Sequence, residues 1–114
     1  MHPTAVPTVE VSSVPPEAVL LDVREDDEWA AGHISGAIHV PMMRVPQQLQ
    51  HDPGPLTPDA TIVVVCKVGS RSAQVTAWLC RQGYIAANLA GGMYGWEAAG
   101  RPIESSDDRP PRII

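Results

Sequence analysis

The stretch TIVVVCKVGSRSAQVTAWLCRQ, residues 61–82, predicts a buried strand followed directly by a helix. Its first part, Thr61–Cys66, is a continuous apolar and mostly β-branched run, which is typical of a strand covered on both faces. From Ser70 the apolar positions fall on one side of a helical wheel and the glutamines on the other. Gly83 ends the predicted helix. A strand, a short loop and a helix in this order are the repeating unit of a parallel sheet.

The same alternation continues on both sides of this unit. Further strands are predicted over Thr8–Val11, Val19–Arg24, Ala37–Met42 and Ala86–Ala90. Further helices are predicted over Glu25–Gly32 and Met93–Gly100, with a weak helix over Met43–Gln50 that we expect Pro46 to break. The sequence therefore predicts an α/β fold with a central parallel sheet and helices on both faces, whose ligands bind at the carboxyl ends of the strands.

Composition limits the organisation of the chain and its partners. The 114 residues fit one domain, predicted over residues 8–100, between a proline-containing extension of residues 1–7 and a charged, proline-rich tail of residues 101–114 that lies on the surface or is disordered. The net charge of −5 argues against nucleic acid and against an anionic membrane surface. Neither a signal peptide nor a membrane-spanning run is evident, so we expect a cytoplasmic protein.

Cys66 is the candidate nucleophile because it ends the buried strand where the helix begins. Gly69 permits a tight loop whose backbone N–H groups, with those of the first helical turn, converge as a site for an anion. Together with Lys67 and Arg71 they favour the thiolate, whose pKa in such surroundings is roughly 3.5–7.5. The alternative is a cysteine that merely completes a core strand, as we expect for Cys80.

The size of the loop favours sulfur over phosphate. Four residues separate Cys66 from Arg71, whereas cysteine phosphatases have five between their cysteine and arginine. The smaller loop suits a single sulfur atom carried on the cysteine. No Cys-x-x-Cys motif or histidine spacing indicates a metal site, and His33 is expected to fix its own turn by hydrogen bonds.

Four motifs resemble the rhodanese family of sulfurtransferases. The active-site loop is matched by CKVGSRS, and the others are LLDVRE, EWAAGHISGAIHVP and NLAGGMYGW, residues 66–72, 20–25, 28–41 and 88–96. Ser35 stands where the family usually has proline, and Trp29 where it usually has tyrosine or phenylalanine. The resemblance covers about residues 8–100.

The resemblance implies a two-step transfer through a persulfide on Cys66, without metal or organic cofactor. It implies substrate binding by the loop residues Lys67, Val68, Gly69, Ser70, Arg71 and Ser72. The donor would be a small anion, and Lys67 after the cysteine points to thiosulfate. The acceptor would be a thiol, cyanide or a sulfur-carrier protein.

Two questions stay open at this point. Asp22 and Arg24 either brace the loop or form a structural ion pair. The chain is either an enzyme or a sulfur-relay or regulatory module that binds another protein, while a phosphatase or arsenate reductase is disfavoured by the loop length.

Overall fold

The computed structural model describes residues 6–114 and has the predicted α/β architecture. Five strands alternate with four α-helices and two short 3₁₀ helices. The strands are β1 (Thr8–Val9), β2 (Val19–Asp22), β3 (Ile38–His39), β4 (Thr61–Val65) and β5 (Ile85–Leu89). The helices are α1 (Asp26–Ala31), α2 (Val45–His51), α3 (Ser70–Arg81) and α4 (Gly92–Ala98), and the 3₁₀ helices are Val11–Ser13 and Met42–Arg44.

The strands form one parallel sheet in the order β1-β5-β4-β2-β3. β4 is the central strand, paired with β2 on one side and β5 on the other. In this register Asp22 lies opposite Val65, and Asn88 opposite Val64. The carboxyl ends of three strands therefore meet where Cys66 follows β4.

Helices cover both faces of the sheet, as predicted. Because successive side chains of a strand point to opposite faces, Ile62 and Val64 pack into one core cluster and Val63 and Val65 into the other. The first cluster is completed mainly by α3 and α2 through Val45, Val75 and Leu79. The second is completed mainly by α4 and its neighbours through Ile34, Met93 and Trp96. The continuous apolar run of β4 is the direct consequence of this two-sided burial.

Pro46 does not break the helix in which it lies, so that prediction is wrong. It sits in the first turn of α2, directly after Val45. The first N–H groups of a helix have no partner within the helix, and proline's fixed φ suits that position. Proline therefore marks the start of α2 rather than an interruption.

The tail lies along the surface and is hydrogen-bonded to the end of α1. Glu104 exchanges two backbone hydrogen bonds with His33, each 2.8 Å long. The N–H groups of Ser106 and Arg112 donate to the carbonyl oxygens of Ala30 and Ala31. Residues 101–114 are thus joined to the domain by backbone pairing, although the predicted boundary at residue 100 itself stays a prediction.

Apolar contacts hold the tail as well. Ile103 and Ile113 pack against the second core cluster, and the Trp96 indole N–H donates to the Pro102 carbonyl at 3.0 Å. A Cβ on Gly32 would overlap the Arg112 carbonyl, so the tail runs where only glycine fits. Of the predicted extension, residues 1–5 lie outside the residues described.

Candidate active site

Cys66 is buried at the mouth of a tight loop between β4 and α3. Gly69 has φ +114°, a left-handed conformation that glycine adopts readily, and this turns its N–H toward the thiol. The Gly69 N–H donates to Cys66 Sγ at 3.1 Å, and Ser72 Oγ lies 3.2 Å from the same sulfur. One loop N–H and one side-chain hydroxyl of α3 thus point at the thiol, and the binding of an anion by the backbone N–H groups stays a prediction.

Hydrogen bonds set the acidity of the thiol. Burial raises the pKa of Cys66, but hydrogen bonds from Ser72, from the Gly69 N–H and from the Val68 N–H outweigh it, so that the pKa lies below its ordinary value. The donors that lower this pKa are all neutral. That Lys67 and Arg71 also favour the thiolate therefore stays a prediction.

Arg71 is held in an ion pair with Glu28 of α1. Its two terminal nitrogens donate to the two carboxylate oxygens at 2.7 and 2.8 Å. The Arg71 hydrogen bonds lower the pKa of Glu28 to about 2, against the opposing effect of burial, and the same pairing raises the pKa of Arg71. Glu28 also accepts from the Glu25 N–H at the start of α1. This pair ties the active-site loop to α1 and compensates the arginine's charge.

The other side of the loop rests on the first turn of α4. The N–H groups of Met93 and Tyr94 donate to the carbonyl oxygens of Cys66 and Lys67 at 2.8 and 3.2 Å. Gly92 allows this approach, since a Cβ there would lie 2.5 Å from the Cys66 carbonyl oxygen. The Lys67 ammonium lies 5.4 Å from the centroid of the Tyr94 ring, within range of a cation–π contact.

Val68 and Ser70 complete the predicted binding loop. Val68 is 55% exposed, and Ser70 is the first residue of α3. Lys67 is partly exposed beside them. The side chains at the tip of the loop therefore face solvent, while the backbone and the buried Ser72 face the sulfur.

Asn88 is a site residue that the sequence reasoning missed. It lies in β5, and its side-chain Nδ2 donates to the Gly69 carbonyl at 3.1 Å. Its Oδ1 is 2.5 Å from Ser72 Oγ. The sequence feature that could have identified Asn88 is its position as a polar residue near the carboxyl end of a strand beside β4. Glu28 was missed as well, because an acidic residue in the first turn of a helix is already explained by the helix dipole.

Asp22 and Arg24 form a buried ion pair that also supports α1. The guanidinium donates to both Asp22 carboxylate oxygens, with a shortest distance of 2.7 Å, and neither side chain is more than 2% exposed. Arg24 also donates to the carbonyl oxygens of Glu28 and Gly32. These contacts match the structural alternative, and a direct role in the loop stays a prediction.

Two residues outside the loop have local structural contacts. His33 Nδ1 lies 2.6 Å from the Trp29 carbonyl oxygen, and the two rings stack at 3.8 Å, which fits the expectation that His33 fixes its own turn. Cys80 is a half-buried free thiol on α3, packed against the first core cluster. Within residues 6–114, no group of three metal-ligating side chains is found.

Comparison with known proteins identifies the family. A family profile described as "Rhodanese-like domain" matches residues 12–99. The chain belongs to the rhodanese family. The other rhodanese motifs contact the loop after β4 or its strand: the end of β2 pairs with β4, Glu28 of α1 binds Arg71, and the first turn of α4 binds the loop carbonyls.

Individual rhodanese-like proteins resemble the chain over most of their length. The protein YtwF of Bacillus subtilis is 38% identical over 86 residues, which cover 75% of this chain and 80% of that protein. "Thiosulfate sulfurtransferase GlpE" of Pseudomonas fluorescens is 32% identical over 97 residues, covering 76% and 85%. The crystal structure of a rhodanese-related protein from Thermoplasma volcanium superposes with a TM-score of 0.73 at 26% identity, covering 85% of this chain and 96% of that one.

The helices described are short, and the longest, α3, has twelve residues. In the part of the chain that the structure describes, none has the length and apolar character needed to span a bilayer.

Proposed function

We propose that this rhodanese-like protein transfers a sulfane sulfur from thiosulfate to a nucleophilic acceptor through a persulfide on Cys66. The observation that supports the proposal most directly is the thiol with lowered pKa at the focus of the Gly69 N–H and the Ser72 hydroxyl. A thiolate is the nucleophilic form of cysteine. Preorganised donors around it also stabilise negative charge on a second sulfur.

The first step forms the persulfide. The Cys66 thiolate attacks the outer sulfur of thiosulfate, a new S–S bond forms, and the electron pair of the old S–S bond leaves with sulfite. The product is Cys66–S–S⁻, so that three negative charges enter and three remain. In the second step the acceptor, a thiolate or cyanide, attacks the outer sulfur and releases the Cys66 thiolate. Dividing the transfer in two is the principle of covalent catalysis.

Thiosulfate is the proposed donor for two reasons. Lys67 directly follows the nucleophile and is partly exposed at the mouth of the loop, where it can meet an anionic substrate. The relative GlpE of Pseudomonas fluorescens is named a thiosulfate sulfurtransferase. The acceptor class, a thiol, cyanide or a sulfur-carrier protein, is proposed only from the chemistry of a persulfide. Cytoplasmic location stays a prediction.

The test is the intact mass of the protein after incubation with thiosulfate. The wild type and Cys80→Ala should gain one sulfur atom, and Cys66→Ser should gain none, because only Cys66 lies within the loop. Adding cyanide should remove the sulfur as thiocyanate, and aryl phosphates should remain unhydrolysed. Sulfur uptake by Cys66→Ser, or phosphatase turnover that depends on Cys66, would refute the proposal.

A further inference from the structure

The hydroxyl of Ser72 faces two acceptors but has only one proton. Its Oγ lies 3.2 Å from Cys66 Sγ and 2.5 Å from Asn88 Oδ1. The orientation of the Asn88 amide follows from its other contact: the Gly69 carbonyl can only accept, so the amide nitrogen faces it. The amide oxygen must then face Ser72. Ser72 can donate to the amide or to the sulfur, but not to both at once.

The charge state of the sulfur decides which of the two bonds forms. A Cys66 thiol can donate its S–H to Ser72 Oγ, and Ser72 then donates to Asn88 Oδ1. A thiolate can only accept, so Ser72 must turn its proton toward the sulfur. Ser72 Oγ and Asn88 Oδ1 would then face each other 2.5 Å apart without a proton between them, which is repulsive.

We propose that Asn88 is a positioning residue that competes with the Cys66 thiolate for the single proton of Ser72. This competition raises the free energy of the thiolate relative to states in which Sγ carries no charge, such as the thiol. The ring of contacts closes through the loop itself, since Asn88 binds the Gly69 carbonyl while the Gly69 N–H binds Sγ. The Asn88 side chain makes its hydrogen bonds to Ser72 and Gly69 and none to the sulfur, so the competition reaches the sulfur through Ser72.

Within the reaction cycle, this competition favours the persulfide over the free thiolate, an inference that rests on the proposed function. In the persulfide the negative charge is on the outer sulfur, and Sγ becomes a weak acceptor. Ser72 can then return its proton to Asn88. The pair thereby favours the loaded enzyme over the free thiolate and makes the thiolate a more reactive nucleophile, because nucleophilicity rises with thiol pKa. Asn88 thus opposes the lowering of the thiol pKa that the loop produces.

The decisive measurement is the thiol pKa, read from the ultraviolet absorbance of the thiolate against pH. All variants carry Cys80→Ala, and the same protein with Cys66→Ser is the blank. Asn88→Ala should lower the pKa by roughly one unit, the size of one competing hydrogen bond. Asn88→Asp keeps the acceptor and adds a charge, so the pKa should rise. If Asn88 only anchored the loop, Asn88→Ala would loosen the Gly69 donor and raise the pKa, opposite to the fall expected from loss of the competing acceptor.

A double-mutant cycle then tests whether Asn88 acts through Ser72. In a Ser72→Ala background, Asn88→Ala should leave the pKa unchanged, whereas in a Ser72→Thr background the shift should persist. A shift that survives Ser72→Ala, a rise with Asn88→Ala, or equal signs for the Ala and Asp variants would each overturn the proposal. None of these pKa measurements requires sulfur transfer. If thiosulfate added no mass to the protein, the proposed function would fail while the pKa shifts would still decide this inference.

Discussion

Replacing Gly92 by alanine tests how the active-site loop is supported by α4. The added Cβ would lie 2.5 Å from the Cys66 carbonyl oxygen and 2.6 Å from that of Lys67, whereas ordinary contact begins near 3.4 Å. The first turn of α4 must therefore retreat from the loop by about 0.9 Å. That retreat would lengthen the hydrogen bonds from Met93 and Tyr94, now 2.8 and 3.2 Å, to the limit of hydrogen bonding or beyond it.

The expected loss of stability follows from two contributions. Gly92 has φ +56°, a left-handed conformation that costs a non-glycine residue about 1–2 kcal/mol. Each of the two weakened hydrogen bonds adds about 1 kcal/mol. We therefore expect the free energy of unfolding to fall by about 3–4 kcal/mol.

Gly100→Ala is the matched control, because Gly100 follows the same helix, has φ +74°, and a Cβ there would meet nothing within 4 Å. Only the cost of the left-handed backbone conformation applies to Gly100→Ala, so we expect its free energy of unfolding to fall by about 1–2 kcal/mol. Urea unfolding followed by tryptophan fluorescence gives both values, and thiosulfate loading of the folded variants gives the effect on Cys66. Equal losses for the two variants, or normal loading by Gly92→Ala, would refute the reasoning.

Three further predictions concern single contacts. The pKa of Glu28 is about 2 in the folded protein against an ordinary 4.5, so its ion pair with Arg71 should stabilise the protein above pH 4.5 and lose this effect as pH falls toward 2. Glu28→Gln should therefore reduce the loss of stability between pH 4.5 and 2, measured by circular dichroism. An unchanged acid-unfolding curve would contradict the assignment. Gly32→Ala should speed tryptic cleavage after Arg112 in a mass-spectrometric time course, because Gly32 has extended backbone that any residue adopts and the atoms nearest the added methyl all belong to Arg112. Lys67→Met should raise KM for thiosulfate about tenfold, the effect expected from losing one charge-assisted contact, and should weaken the salt dependence of kcat/KM. An unchanged KM would show that the backbone donors suffice to bind thiosulfate.

The fold could be predicted because its determinants are local. The apolar sequence of β4 reflects its burial on both faces, and the glycines and charged residues between the apolar segments mark where the chain turns. The loop at Cys66 could be predicted for the same reason, since the thiol, Gly69 and Ser72 lie within seven consecutive residues. Pro46 was misinterpreted because proline has opposite effects in the first turn of a helix and in its interior.

The supporting contacts could not be predicted because they join distant parts of the sequence. Glu28 and Arg71 are 43 positions apart, and Asn88 is 16 positions from Ser72. Which polar side chains meet depends on the strand order, which places β5 beside β4 and puts Asn88 opposite Val64. Composition also obscured the tail, whose prolines and charges surround two anchoring isoleucines, Ile103 and Ile113.

The tail shows that the shared family pattern and the hydrogen-bonded structure of this chain end at different residues. The pattern ends at residue 99, yet backbone donors from Ser106 and Arg112 cover the last carbonyl groups of α1. A chimera that joins another domain at residue 99 would leave those carbonyls without protein donors and uncover the indole edge of Trp96. Glu28, which pairs with Arg71 of the loop after Cys66, would then belong to a frayed helix. Grafting this loop into another protein therefore requires carrying the last fourteen residues with it.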